Sequence, residues 1–410
     1  MFDVDSNLKP SALLAGPSLV ARLHRLGAAI GLGLCLTALP MAASAEPGVS
    51  SDKITFGQVA AFEGPAGALG RDVRTGILAA FAEANGAGGV KGRMLELVSR
   101  DDSYEPTKSV DAMKTLINDD KVFALVGAVG TPTTLATEPI AAQNGIPFIG
   151  PFTGAEFLRD AEKSEVVNVR ASYFQETEAM VERLTRDKGV TRIAILYQND
   201  AFGRAGLAGV QRALGKRNME LVAEGAFERN TTAVKMALLA IRRGNPEAVI
   251  MIGPYKPCAA FIKLARQVKM DATFVGISFV GSNSLAKELG ADGAGVVITQ
   301  VVPLPWDSSI PVVARYQAAM KTAGSADQAG FVTLEGYVVG RLVIAALEKI
   351  EGDPTRKALL DAIHDSAFDF QGVKLVYAPG ANQGTNAVFL TQIQADGSFK
   401  AIESLREISN

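Results

Sequence analysis

From Ile54 onward, short apolar runs alternate with stretches in which apolar residues return every three to four positions. That alternation predicts strand–helix repeats joined by short turns, the βαβ units of parallel sheets. The first strand is expected over Ile54–Val59 and runs into a glycine-rich turn, Glu63–Gly70. Val73, Ile77, Ala80, Phe81 and Ala84 then mark one helix face. Met94–Val98 is a second strand, and Thr107–Asp119 a second helix. Val122–Gly127 and Ile146–Ile149 are near-continuous apolar runs, as in parallel strands buried on both faces. Val166–Val169 reads as a strand that leaves this sheet.

A second series follows. Helices are expected over Phe174–Lys188, Arg204–Lys216, Val234–Arg243 and Cys258–Lys269, with strands over Arg192–Tyr197, Leu221–Phe227, Ala248–Gly253 and Thr273–Ile277. After a strand at Val296–Val302, the pattern predicts helices near Ile310–Ala323, Thr333–Ile350 and Pro354–His364. Strands at Val373–Tyr377 and Ala387–Ile393 close the chain. Two such series make an α/β protein of two doubly wound parallel-sheet lobes. Helices that begin after the second series is complete require the chain to recross, and repeated crossings make a hinge with a ligand cleft beside it.

The chemistry concentrates in Val126–Gly154. The strand ending near Gly127 breaks at Gly130-Thr131-Pro132, where Thr131 is expected to N-cap a helix with Pro132 in its first position. The next strand breaks at Pro151–Gly154, and Thr153-Gly154-Ala155-Glu156 has capping-box spacing. Two neighbouring strands would thus bring two hydroxyls and two helix starts to the carboxyl edge of one sheet, where open α/β sheets bind ligands. Free N–H groups at helix starts favour an anion, so a carboxylate is expected.

Composition changes this picture little, except at the front. The 410 residues are 48% hydrophobic with a formal net charge of −2, and no basic surplus suggests nucleic acid. Arg22, His24 and Arg25 precede an apolar segment, Leu26–Leu39, and then Ala43-Ser44-Ala45. That is the plan of a secretory leader cleaved after Ala45, with an apolar segment short for a membrane span. Cys35 follows Leu34, where a lipidation site wants a small residue. Cys258 is then the one cysteine left, so the fold rests on its core rather than on a disulfide. Catalysis finds no footing. His364 stands alone after the leader, no His-Glu-x-x-His or Gly-x-Ser-x-Gly occurs, and Asp101-Asp102 reads as turn chemistry. No enzyme, metal or cofactor is expected.

The motifs together resemble one family. Ile54-x-Phe56-Gly57 with Gly64-Pro65 and Gly70, Asn85 with Gly88-Gly89-Val90-Lys91-Gly92, and Arg100-Asp101-Asp102 with Glu105-Pro106 come first. Val126-Gly127, Asn144-Gly145-Ile146-Pro147, Arg192-Ile193-Ala194 and Asn199-Asp200-x-Phe202-Gly203 follow in order. In sequence and spacing, over roughly residues 50–400, the chain resembles the leucine/isoleucine/valine-binding type of periplasmic solute-binding protein, the receptor component of ABC importers. The resemblance implies two lobes joined by a three-strand hinge: residues 46–170 with 303–367, and 171–302 with 368–410. It implies ligand contacts at Leu69, Val129, Gly130, Thr131, Phe152, Thr153 and Gly154 on the first lobe. On the second it implies Tyr173, Gln175, Phe202, Tyr255 and Ser278, with Phe331 as an apolar wall. The implied partners are a small-molecule ligand and an inner-membrane permease with its ATPase; the protein itself is expected to be a periplasmic monomer.

One departure bears on the ligand. Amino-acid-binding members place an acid at the position of Ser278 to neutralise the ligand's ammonium, and here the local run is Gly276-Ile277-Ser278-Phe279-Val280. Enclosing an ammonium with no counter-charge costs several kcal/mol. The expected ligand is therefore a carboxylate without an α-amino group, aromatic or branched, unless another loop supplies an acid, such as Glu63 or Glu176. A sensor subunit for a membrane receptor, or an amide, urea or branched-chain amino acid receptor on the same fold, are the alternatives.

Overall fold

The computed structural model describes residues 46–407. The leader, its cleavage after Ala45 and Cys35 lie outside the described residues. The first lobe carries β1 (Lys53–Ala60), α1 (Gly67–Gly86), β2 (Met94–Asp101), α2 (Pro106–Asn118), β3 (Leu125–Val126), α3 (Thr131–Gln143), β4 (Phe148–Ile149) and β5 (Val166–Val167). Its five strands are parallel, in the order β2-β1-β3-β4-β5. β5 still belongs to this sheet as its edge strand, and the chain leaves after it rather than along it.

The second lobe follows with α4 (Tyr173–Lys188), β6 (Ile193–Gln198), α5 (Ala201–Gly215), β7 (Ala223–Phe227), α6 (Lys235–Arg243), β8 (Ala248–Ile252), α7 (Tyr255–Gln267), β9 (Thr273–Gly276), α8 (Ser282–Leu289) and β10 (Val297–Gln300). The chain then recrosses to α9 (Pro311–Thr322), α10 (Phe331–Lys349), α11 (Arg356–Ile363) and the hairpin β11 (Ala367–Asp369)–β12 (Lys374–Val376). It returns for β13 (Phe389–Ile393) and β14 (Phe399–Ile402). The second sheet runs β14-β13-β10-β9-β8-β6-β7. It is parallel from β10 to β7, but β13 and β14 add an antiparallel edge, so this lobe is not purely doubly wound. The pattern also missed α8, whose eight residues SNSLAKEL carry only a short apolar face at Leu285, Ala286 and Leu289, and the short, half-exposed strands β11 and β14.

Two of the three crossings run side by side. Asn168 N donates to Asn382 O at 2.7 Å and Gly384 N to Asn168 O at 2.8 Å. The Asn168 side-chain amide also donates to Leu158 O at 2.8 Å and so ties this strap to the first lobe. The third crossing is the Pro303–Pro305 segment. On the first lobe, α10 is buried almost throughout because it lies between α1 and the rest of that lobe. Glycines permit the contact: a Cβ on Gly76 would fall 1.9 Å from Thr333 O, and one on Gly336 2.3 Å from Val73 O.

Candidate functional site

The turn after β3 is built by Gly130, whose φ of 104° L side chains rarely adopt. A Cβ there would come within 2.3 Å of the Tyr104 ring. Gly130 itself is therefore the cap of α3, with Thr131 first and Pro132 second in the helix, so that the helix starts one residue earlier than expected. No side chain caps this helix. Thr131 is instead free to meet Thr153, Oγ1 to Oγ1, at 2.7 Å. The capping box expected at Thr153–Glu156 does not form. Ala155 precedes a short 3₁₀ turn, Glu156–Arg159, and Glu156 accepts from Phe174 N at 3.3 Å instead. Thr153 Oγ1 accepts from Ala155 N at 3.3 Å and reaches the Tyr173 hydroxyl at 3.3 Å. Val129 and Phe152 form a parallel bridge beyond the ends of β3 and β4, which aligns the two turns. The two threonines are buried at the junction of the lobes.

Facing them, the second lobe contributes rings. Phe279 sits centrally, with ring centroids 6.1 Å from Tyr104, 5.4 Å from Phe152 and 4.6 Å from Phe202. Phe202 lies 5.4 Å from Tyr173. Gly154 is packed so closely on Tyr173 that a Cβ would meet its Cδ1 at 2.5 Å. Tyr255 reaches across the junction, its hydroxyl accepting from Ala68 N at 3.4 Å. Leu69 lies beside it, where a Cβ on Gly281 would fall 2.6 Å from its Cδ2. Nearer the rim, Glu105 of the first lobe accepts from Arg229 at 2.8 Å and Asn230 at 2.7 Å. Tyr104 Oη accepts from Gln198 at 3.3 Å.

Beside the rings lies a buried ionic cluster. Ser278 holds no acid, but Glu176 reaches it from α4. Glu176 Oε1 accepts from Arg170 Nη2 at 3.1 Å and Ser278 Oγ at 2.9 Å; its Oε2 accepts from Ser278 N at 3.0 Å and Thr299 Oγ1 at 2.6 Å. Arg170 also donates to Ser278 Oγ, and its Nη1 to Glu335 Oε1 at 3.3 Å. Its guanidinium carbon stands 5.0 Å from the Phe152 ring centroid. Burial pushes the Glu335 carboxyl up to about 7, against the pull of Arg170. Burial would lower the Arg170 guanidinium, yet Glu335 and Glu176 outweigh it and the net direction is upward.

Two residues expected here are engaged elsewhere. Gln175 is spent in a true capping box with Ser172, its Oε1 accepting from Ser172 N at 2.7 Å and from Gln383 at 2.9 Å. Phe331 packs edge-on against Trp306 and Phe399, at 5.5 and 5.4 Å, and not in the ring cluster around Phe279. Sequence reasoning missed Tyr104, Phe279, Arg170 and Glu335. Of the two substitute acids the sequence offers, Glu176 belongs to this cluster and Glu63 does not: Glu63 is exposed and its backbone N–H donates to Asp101 Oδ1 at 3.1 Å.

Two sheets joined by three crossings, with polar strand ends and rings converging between them, define a hinged two-lobed binding protein. The chain belongs to the periplasmic binding protein family, whose profile matches residues 53–398. It is 26% identical over 336 residues to the Leu/Ile/Val-binding protein BraC3 of Rhizobium johnstonii, covering 80% of this chain and 88% of that one. It is similar to the structure of a possible leucine/isoleucine/valine-binding protein from Rhodopirellula baltica, with 37% identity and a TM-score of 0.83 over 88% of this chain and 99% of that one. An R. palustris ABC-transporter solute-binding protein in complex with 4-hydroxybenzoate matches at 20% identity and a TM-score of 0.76, over 86% and 96% of the two chains. At that identity the likeness shows the fold alone. The family is one of periplasmic binding proteins.

Proposed function

We propose that this chain captures a small carboxylic acid with an aromatic or branched body and no α-amino group, and delivers it to an ABC permease and its ATPase. In this reading the lobes are 46–170 with 303–367 and 171–302 with 368–410, and they close by hinge rotation around the ligand. The ligand carboxylate meets the Thr131 and Thr153 hydroxyls and the free amides at the start of α3. Leu69, Val129, Phe152, Gly154, Tyr173, Phe202 and Tyr255 form the walls, together with Tyr104 and Phe279. The observation that carries the exclusion of an α-amino group is the saturation of Glu176. Its two oxygens already accept four donors, one of them a guanidinium. That leaves it no capacity to neutralise an ammonium. A titration-calorimetry panel of amino acids, amides, and aromatic and branched acids tests the reading. Micromolar binding of leucine or valine, or of neutral amides, with no heat from the acids would end it.

A further inference from the structure

In the buried cluster, Glu176 is fully engaged but its partners are not. Glu335 is 5% exposed and projects from α10 toward Arg170. Its Oε1 takes one donor, and among the described residues no donor reaches its Oε2. Arg170 Nε is buried with no acceptor. The ion-paired cluster between the lobes thus keeps one carboxylate oxygen that no described donor reaches and one buried donor without an acceptor, beside the Phe152 and Tyr173 rings. Buried polar groups are ordinarily satisfied, so the Arg170 Nε–H calls for a partner.

We propose, resting on the carboxylate reading above, that Glu335 is a specificity-determining residue. Its Oε2 accepts from a hydroxyl on the ligand body, so that the site selects hydroxy-substituted acids over their unsubstituted parents. A hydroxyl donates to Oε2 and retains lone pairs that an Arg170 N–H can use, whereas an ammonium only donates and a second carboxylate only accepts.

The test is calorimetry on the whole exported chain with matched pairs: benzoate against 3- and 4-hydroxybenzoate, and 3-methylbutanoate against 3-hydroxy-3-methylbutanoate, with 4-(aminomethyl)benzoate as the cationic member. At pH 8 to 8.5, where the Glu335 carboxyl is ionised, a hydrogen bond to it should favour the hydroxylated member of at least one pair by on the order of 10- to 100-fold. Glu335→Leu should erase that preference while holding the parent acid within about threefold of its wild-type affinity, a split that a merely structural role would not produce. Equal affinities within every pair in the wild type overturn the inference, and so does preference for the aminomethyl compound. A Glu335→Leu protein that weakens parent and hydroxy acid alike also overturns it. Should the variant not fold, the wild-type pairs decide alone. Failure of all the acids, parents included, removes the carboxylate reading and this inference with it, and the parents' silence tells that case from the others.

Discussion

Replacing Glu105 with alanine should loosen the closed form without touching the ligand. Glu105 begins the α2 turn, but its side chain caps nothing. Its carboxylate instead spans the rim, accepting from Arg229 at 2.8 Å and Asn230 at 2.7 Å on the second lobe. Arg229 also reaches Asp200 at 3.2 Å, a pair within one lobe that survives the change. The Glu105 and Arg229 side chains are 38% and 24% exposed, so solvent screens the ion pair and about 0.5–1 kcal/mol is a fair value for it. The Asn230 bond adds about 0.5–1 kcal/mol. Together about 1–2 kcal/mol of closed-state stability is lost, which weakens apparent ligand affinity by about 5- to 30-fold through the smaller competent fraction. Stopped-flow measurement at low and moderate salt should place most of this in a faster dissociation rate. The difference from wild type should narrow as salt rises. The melting temperature without ligand should move little. Unchanged affinity and dissociation at low salt would refute the idea that this rim contact holds the lobes together.

Other outcomes follow from the same structure. Thr153→Val removes the hydroxyl paired with Thr131 at 2.7 Å and should weaken acid binding by about 10-fold or more in calorimetry, with a small change in thermal midpoint. Gly76→Ala forces a methyl to 1.9 Å from Thr333 O and should cost about 2 kcal/mol or more in urea unfolding, because backbone cannot give way as a side chain can. Glu335, with its carboxyl raised to about 7 by burial, favours the protonated form in the fold. Its contribution is fully present below the ordinary glutamate range and is lost as pH rises through 7, by about 3 kcal/mol in all; Glu335→Gln should flatten that part of the stability–pH curve. Cys258 is fully buried and burial pushes its thiol far up, so thiol reagents should label the native chain only at the rate at which it opens.

Most of the architecture could be read from periodicity because buried parallel strands and amphipathic helices carry strong signals. β8, AVIMI, is buried at every position and was plain in the sequence. α8 and β14 were not, since a short helix and an edge strand need few apolar residues. At the site, small polar residues at strand ends led to Thr131 and Thr153, but their partners came out differently. Local capping rules favoured the helix backbone, and the tertiary approach of Tyr104 on Gly130 moved the cap by one residue. Arg170, Glu176 and Glu335 are far apart in sequence in one case and adjacent to unremarkable neighbours in the others. Only the fold puts a hinge residue, a helix start and the second turn of α10 on one carboxylate–guanidinium cluster.

Trp306 is the only tryptophan in the chain. It stands on the third crossing, 42% exposed, stacked on Phe399 of the second lobe at 5.6 Å and edge-on to Phe331 of α10. An indole clamped between elements of both halves changes its surroundings when those halves rotate. The molecule therefore carries its own optical gauge: emission near this one ring registers capture and release without any attached dye.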